Sequence, residues 1–376
     1  MKKITFVYTR GRKDRFLKYK KGDQVPKEFF YGLTEFEELG FQTSFFEQDA
    51  ISVRPPFFKN FYLSIISYIF AKYVNIAFAV PQCFGLISNL NKNNVTIGIP
   101  DSVGLALSYY KKRKWLNSKL IFFGMGLSSR LWLFKKQKRL LYGAVKRFCY
   151  SILTYADGIC LLGEAEAEFL KKEMPKLKDK IFFIPFGVDT GFWRPEKKKK
   201  RNRSILFVGN DPNRDFSFVM DLARVLFEFD FIIVSSKVSF ENLPQNVKLT
   251  SGTWNKSTLS DEDLRELYRT CGVVILPIKE TIQPSGQSVT LQALSCGAPV
   301  LISEYEGFWE KSAFAHNKEI VFIKNHTLDS WVSEIKRVLS DDRLTQQLSE
   351  NGRKLVEERY SLDIFSKKLK NIIQQI

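Results

Sequence analysis

Between Gln283 and Ser303 the chain reads QPSGQSVTLQALSCGAPVLIS: a Pro/Gly/Ser loop, a short helical stretch, a Gly-Pro turn and an apolar strand. The first N–H groups of a helix lack partners within the helix, and its dipole favours negative charge there. A loop of Ser285, Gly286, Gln287 and Ser288 opening such a helix is therefore a seat for an anion, a phosphate above all. Other chemistries are poorly supplied. Two histidines in 376 residues nearly exclude His-based zinc sites and His-centred triads. The five cysteines, Cys83, Cys149, Cys160, Cys271 and Cys296, are scattered without CxxC spacing. They indicate a reducing compartment with neither a disulfide framework nor a metal knuckle.

The elements that must position the loop follow from the alternation of short apolar runs and helical patterns. Strands are expected at Ile4–Tyr8, Thr43–Phe46, Val95–Ile99, Leu120–Phe123, Gly158–Leu162 and Ile181–Pro185. Helices are expected between them, at Glu28–Leu39, Ser102–Lys111, Leu140–Ala156 and Glu164–Lys172. The run EKKKKRNR at Glu196–Arg203 has no apolar residue and reads as a solvated linker. The rhythm then restarts with strands at Ser204–Val208, Phe231–Ser235, Val247–Thr250, Val273–Leu276, Val300–Ser303 and Ile320–Ile323. The expected fold class is α/β, with two Rossmann-like, doubly wound parallel-sheet domains facing a cleft. Their expected spans are 1–195 and 196–360, with a last helix at about 361–376 packing back on the first.

Charge is uneven. Residues 51–150 contain 16 Lys/Arg and one acid, Asp101, which is most of the formal +18. LWLFKKQKRLLYGAVKRF reads as a basic amphipathic helix with aromatic anchors, suited to an anionic membrane surface. No nucleic-acid-binding motif accompanies it, so nucleic acid is not the expected partner. The longest apolar stretch, Phe61–Val80, is interrupted by Ser64, Ser67, Lys72 and Asn75. It is expected to be a mostly buried helix, with a membrane span as the minor alternative. The N-terminal apolar run is too short for a signal peptide, so the expected location is cytoplasmic or peripheral on an inner membrane face.

Five segments, in order, resemble the GT-B glycosyltransferases of the family 4 (group 1) type. They are IPFGVDTGFWRP (Ile184–Pro195), ILFVGN (Ile205–Asn210), LTSGTW (Leu249–Trp254), LRELYRTCGVVILPIKE (Leu264–Glu280) and QALSCGAPVLIS (Gln292–Ser303). The first half matches only in its α/β rhythm and length. The resemblance implies transfer of a hexose from a nucleotide-diphosphate sugar to a glycan or lipid-linked glycan, with retention of configuration, in polysaccharide or glycoconjugate synthesis. It implies no metal and no other cofactor: positive side chains and helix N-termini hold the diphosphate. A non-catalytic binding subunit, or an epimerase or phosphorylase on the same fold, stays open as an alternative.

Carried onto this chain, the family pattern puts the donor at Gly209, Asn210, Arg214, Gly252, Trp254, Pro277, Ser285, Gly286, Gln287, Ser288 and Gln292. Asn210 stands where the family has Arg, and Arg214 falls near its Lys position. Gln292 replaces the ribose-binding Glu. The companion Glu would fall at Pro284, so Glu280 or the backbone at Gln283–Gly286 takes its role. Arg214 and Glu280 are the expected catalytic pair. The family's catalytic His is absent after Leu120–Phe123, where Gly124-Met125-Gly126 stands instead. Gly124, Gly126 and Asp101 are expected on the acceptor side, Asp101 also as a cap of the helix Ser102–Lys111.

Overall fold

The computed structural model describes residues 2–51, 57–137, 140–196, 200–253, 256–257 and 259–376. The chain divides into two compact units. The first comprises Met1–Asp23, Phe29–Pro185 and Phe365–Ile376; the second comprises Gln24–Glu28 and Phe186–Ile364.

The first unit is built on β1 (Lys3–Tyr8), β2 (Gln42–Glu47), β3 (Val95–Ile99), β4 (Lys119–Gly124), β5 (Gly158–Leu161) and β6 (Ile181–Phe183). All are parallel, in the order β2-β1-β3-β4-β5-β6. β3 is buried at every position and β4 at all but its first. Apolar runs without alternation give such strands because helices cover both faces of a parallel sheet. The helix Asp101–Lys112 packs Val103, Leu107 and Tyr110 into a core shared with Leu120 and Phe122.

Several expected elements take a different form here. The expected helix Glu28–Leu39 is split into a 3-10 turn at Lys27–Phe30 and a helix at Leu33–Glu38, separated at Gly32 with φ +93°. The basic stretch is also two helices, Leu127–Lys136 and Tyr142–Leu153. Its expected anchors Leu131 and Phe134 are buried in the core rather than presented outward. The apolar stretch forms the helix Phe57–Val74. It buries Leu63, Phe70 and Val74 but exposes Phe61, Tyr62, Ile65, Tyr68, Ile69 and Tyr73, so it is not mostly buried. Among the described residues no helix is long and apolar enough to cross a membrane.

The second unit is built on β7 (Ile205–Val208), β8 (Phe231–Val234), β9 (Val247–Thr250), a small hairpin of β10 (Gly252–Thr253) and β11 (Lys256–Ser257), then β12 (Val273–Leu276), β13 (Val300–Ser303) and β14 (Val321–Ile323). Its sheet runs β14-β13-β12-β7-β8-β9, all parallel. The chain winds outward one way from β7 and then the other way from β12. The crevice beyond the carboxyl ends of β7 and β12 is the switch point where such sheets bind ligands. Ser260 and Asp263 close a capping box on the helix Asp261–Thr270, whose last turn leads into β12.

The segment Ile184–Pro195, expected to close the first unit, divides at Pro185: Phe186 onward belongs to the second. Trp193 explains the grip. It is fully buried, and its carbonyl accepts from Ser295 Oγ at 2.5 Å and Arg353 Nη1 at 2.7 Å.

Candidate functional site

β7 ends at Val208, and the chain turns through Gly209 (φ +138°) and a tight loop to Asp215. Asp215 caps the helix Phe216–Val225, accepting from Phe218 N. The loop is fixed against the strand end of β12. Asp215 N donates to Pro277 O at 3.0 Å and Lys279 N donates to Asn213 O at 2.8 Å. Asn213 Nδ2 donates to Ser285 Oγ (2.8 Å) and Gln283 Oε1 (3.2 Å). Tyr305 Oη donates to Ser285 O at 2.5 Å. The turn after β7 and the loop before the helix Gln287–Ser295 are thus tied together at the switch point.

Arg214 lies in this tie. It is 2% exposed, and its Nε and Nη1 have no hydrogen-bond partner. Two glycines make room for the guanidinium. A Cβ on Gly209 would stand 3.0 Å from Nε, and one on Gly286 (φ +88°) 2.7 Å from Nη1. Neither position tolerates a side chain, on steric grounds and because positive φ disfavours one. Burial lowers the Arg214 pKa, while the nearby Asp211 carboxylate opposes that. Guanidinium N–H groups held out of water without acceptors cost roughly 1–3 kcal/mol, and an anion beside them removes that cost. Thr290 Oγ1 and Tyr268 Oη are also buried without a partner in this unit. Oxyanions bridging such donors gain charge-assisted hydrogen bonds.

The four amides expected to seat a phosphate differ. Ser285 N is bonded to Gln283 O (2.7 Å) and Gln287 N to Pro284 O (3.3 Å). That leaves the Gly286 and Ser288 amides as the available pair at the helix N-terminus. Asn210 faces elsewhere: its Oδ1 accepts from Ser236 N (2.6 Å), Ser236 Oγ (3.0 Å) and Ser235 Oγ (3.1 Å). It ties the turn to the end of β8. Pro277 contributes its carbonyl to the loop. Glu280 is exposed and lines a shallow cavity of about 480 Å³ with Glu304, Tyr305, Glu306, Lys311 and Lys324. Gly252 lies in the short β10–β11 ladder. Trp254 lies outside the described residues.

Gln292 is 5% exposed and its Nε2 donates to Glu28 Oε1 at 2.9 Å. Trp193 Nε1 donates to the same oxygen at 2.6 Å, and Asp189 N reaches Oε2 at 3.3 Å. Glu28 is fully buried; that burial, then the neighbouring Asp189 carboxylate, pushes its pKa up to about 7. The amide nitrogen expected to meet a ribose is therefore engaged by a carboxylate from the segment Gln24–Glu28. No local signal marked Glu28, an acid between a lysine and two phenylalanines.

The first unit closes its own anion seat. After β1, Gly11 has φ +103°, and the amides of Gly11, Arg12 and Lys13 donate to Glu47 Oε1 at 2.8, 2.7 and 2.9 Å. Asp101 is 6% exposed and opens the helix Asp101–Lys112, but it does not cap it. Both its carboxylate oxygens instead accept from Met125 N, at 3.2 and 3.1 Å, so it secures the turn into the helix Leu127–Lys136. Burial pushes its pKa up to about 7, against the amides of Met125 and Leu127. Glu166, fully buried with both oxygens unpartnered, has its pKa raised by burial and then by Asp101. Gly124 is needed for packing: a Cβ there would meet Leu161 Cδ2 at 2.6 Å. At Gly126 the nearest atom is Asp101 Oδ2, 3.5 Å away.

His316 Nδ1 accepts from Phe322 N and His326 Nε2 meets Asp215 Oδ2; both rings are exposed. Among the described residues no group of three His, Cys, Asp or Glu side chains could hold a metal.

Residues 230–355 match the family described as Glycosyl transferases group 1. An uncharacterized glycosyltransferase of Methanocaldococcus jannaschii is 32% identical over 114 residues, 30% of this chain and 28% of that protein. A probable sucrose-phosphate synthase of Thermosipho melanesiensis is 25% identical over 218 residues, 54% of this chain and 49% of the other. The chain thus spans half or less of the length of these curated relatives. The crystal structure of Anabaena HepE in complex with UDP-glucose superposes with a TM-score of 0.67 over 100% of both chains, at 12% identity.

Proposed function

We propose that this chain, whose residues 230–355 match the glycosyl transferases group 1 family and which has the GT-B fold, transfers a hexose from a nucleoside-diphosphate sugar to a glycan or lipid-linked glycan. The observation that carries this reading is the buried Arg214 guanidinium, with two unpartnered nitrogens beside Gly286 at the start of the helix Gln287–Ser295. The hard event in sugar transfer is departure of the nucleoside diphosphate, which concentrates negative charge on phosphate oxygens. A fixed cation and helix-terminal amides oppose that charge without reorganising, which is the largest contribution an enzyme of this kind makes.

In this reading Arg214 and the amides of Gly286 and Ser288 hold the diphosphate. Glu280 and its exposed cavity receive the sugar hydroxyls. No metal takes part. Retention of configuration and a role in polysaccharide or glycoconjugate synthesis at a membrane face are the further expectations. Their support is the family pattern and the basic character of residues 51–150. HepE was solved with UDP-glucose, so uridine diphosphate sugars are the first donors to assay.

The test is calorimetric titration with a panel of nucleoside-diphosphate sugars in the presence of a chelator. Binding of at least one, lost with its diphosphate group, is the expected result. Binding of none would overturn the reading, and binding abolished by the chelator would overturn its metal-free part.

A further inference from the structure

The helix Phe57–Val74 divides into two faces that are both apolar. At about 100° per residue, Leu63, Phe70 and Val74 fall on one side, where Phe70 meets Phe78 and Phe148 with ring centroids 5.3 and 5.5 Å apart. Phe61, Tyr62, Ile65, Tyr68, Ile69 and Tyr73 occupy an arc of about 140° on the other side. They are 40–65% exposed. A run of large side chains turned outward along about three helical turns is not scattered surface hydrophobicity.

The surroundings specify what covers it. Lys72 rises within the same arc, its Nζ 5.8 Å from the rings of both Tyr68 and Tyr73. Tyr62 lies near Tyr109, over whose ring Arg113 sits at 5.9 Å. Arg113 and Lys114 are exposed. The only acid from 51 to 150 is Asp101, which is buried, so this stretch shows no acidic side chain to solvent. This stretch offers no acidic side chain to complement a basic rim on a protein partner. A surface that is apolar beneath and uniformly negative at its headgroups would complement it. Tyr rings on an apolar helix suit that boundary, with the ring in the acyl region and the hydroxyl in water.

We propose that the helix Phe57–Val74 lies in the interface of an anionic lipid bilayer, its exposed arc inserted and Lys72 and Arg113 against the headgroups. The stretch first expected to do this, LWLFKKQKRLLYGAVKRF, buries Leu131 and Phe134 and exposes only Leu140 and Leu141 among its large apolar residues, a smaller patch than that of the helix Phe57–Val74. The proposal deepens the membrane-face part of the function proposed above. It is tested without any nucleotide sugar, so the two stand or fall separately.

Sedimentation with phosphatidylglycerol–phosphatidylcholine vesicles, against pure phosphatidylcholine, measures the binding. The expected result is partition onto the anionic vesicles only, weakened by salt. The triple variant Phe61→Ser, Ile65→Ser, Tyr68→Ser should lower that partition at least about ten-fold. Phe227→Ser, at a 77% exposed apolar residue of the second unit, should leave it unchanged. The substituted residues are exposed, and the thermal transition of each variant checks its fold. A second readout needs no loss of residues. All five native cysteines are buried, so Ile69→Cys accepts a single environment-sensitive fluorophore, whose emission should shift to the blue with anionic vesicles. Equal binding to neutral vesicles, full binding by the triple variant, an unshifted fluorophore, or a dimer that the triple variant dissociates without any vesicle binding would each overturn the proposal.

Discussion

After β1 the chain turns through Gly11 into the helix Lys13–Lys20, and three successive amides close on the carboxylate of Glu47. After β7 it turns through Gly209, and the guanidinium of Arg214 lies buried with no acceptor on Nε or Nη1. Both turns end interior strands of six-stranded parallel sheets. One has its anion built into the sequence; the other presents a buried cation. The carboxyl ends carry the same contrast further. The first sheet's holds the buried acids Asp101 and Glu166, the second's the buried base Arg214. The scaffold thus creates an anion seat twice, and side chains decide which seat is left for a ligand.

Four measurements would break or sharpen this contrast. Asp101 gives the largest effect. Its folded pKa is raised to about 7 from 3.8, so between these values the folded state keeps a proton that the unfolded state releases. The associated stability is full below the lower value and is lost as pH rises to the upper one. The difference in urea stability between wild type and Asp101→Asn should therefore change by about 2–4 kcal/mol from pH 4 to pH 7.5. A pH-independent difference would mean that Asp101 is not a buried proton-holding group.

Arg214→Met should weaken nucleoside-diphosphate binding by about 1–3 kcal/mol. It should leave the melting temperature without ligand equal or higher, since an unpartnered buried charge is gone. Unchanged affinity in titration would remove Arg214 from the ligand. Glu47→Ala should cost about 1–2 kcal/mol of stability by orphaning three amides, and inorganic phosphate should restore part of it. A melting temperature indifferent to phosphate would show that the first turn is no anion seat even when emptied. Asn210→Ala should change donor affinity by less than about 0.5 kcal/mol, because its side-chain oxygen is engaged by Ser235 and Ser236. A larger loss by titration would put Asn210 on the ligand.

What could be read from the chain depended on distance along it. β3 appears at Val95–Ile99, as its apolar run indicates, because a strand buried on both faces needs no partner to be recognised. Gly209, Arg214 and Gly286 were legible as a turn and a helix start, since glycines at positive φ are local features. Glu28 and Glu47 were not, because an acid is assigned to solvent until the groups that bind it are known. The helix Phe57–Val74 was misjudged for another reason. Large apolar residues stand on both of its sides, so no period tells a packed face from an open one.

The residues Gln24–Glu28 belong to the second unit while the chain on either side of them belongs to the first. Glu28 meets Trp193 and Gln292, the latter 264 positions later. During synthesis at about 5–20 residues per second, the segment waits on the order of ten to fifty seconds for Gln292 to be made. The second unit therefore cannot be completed from its own continuous sequence. A fragment spanning 186–364 would leave the Trp193 and Gln292 donors buried without Glu28, and adding a peptide covering 24–28 would supply the missing acceptor.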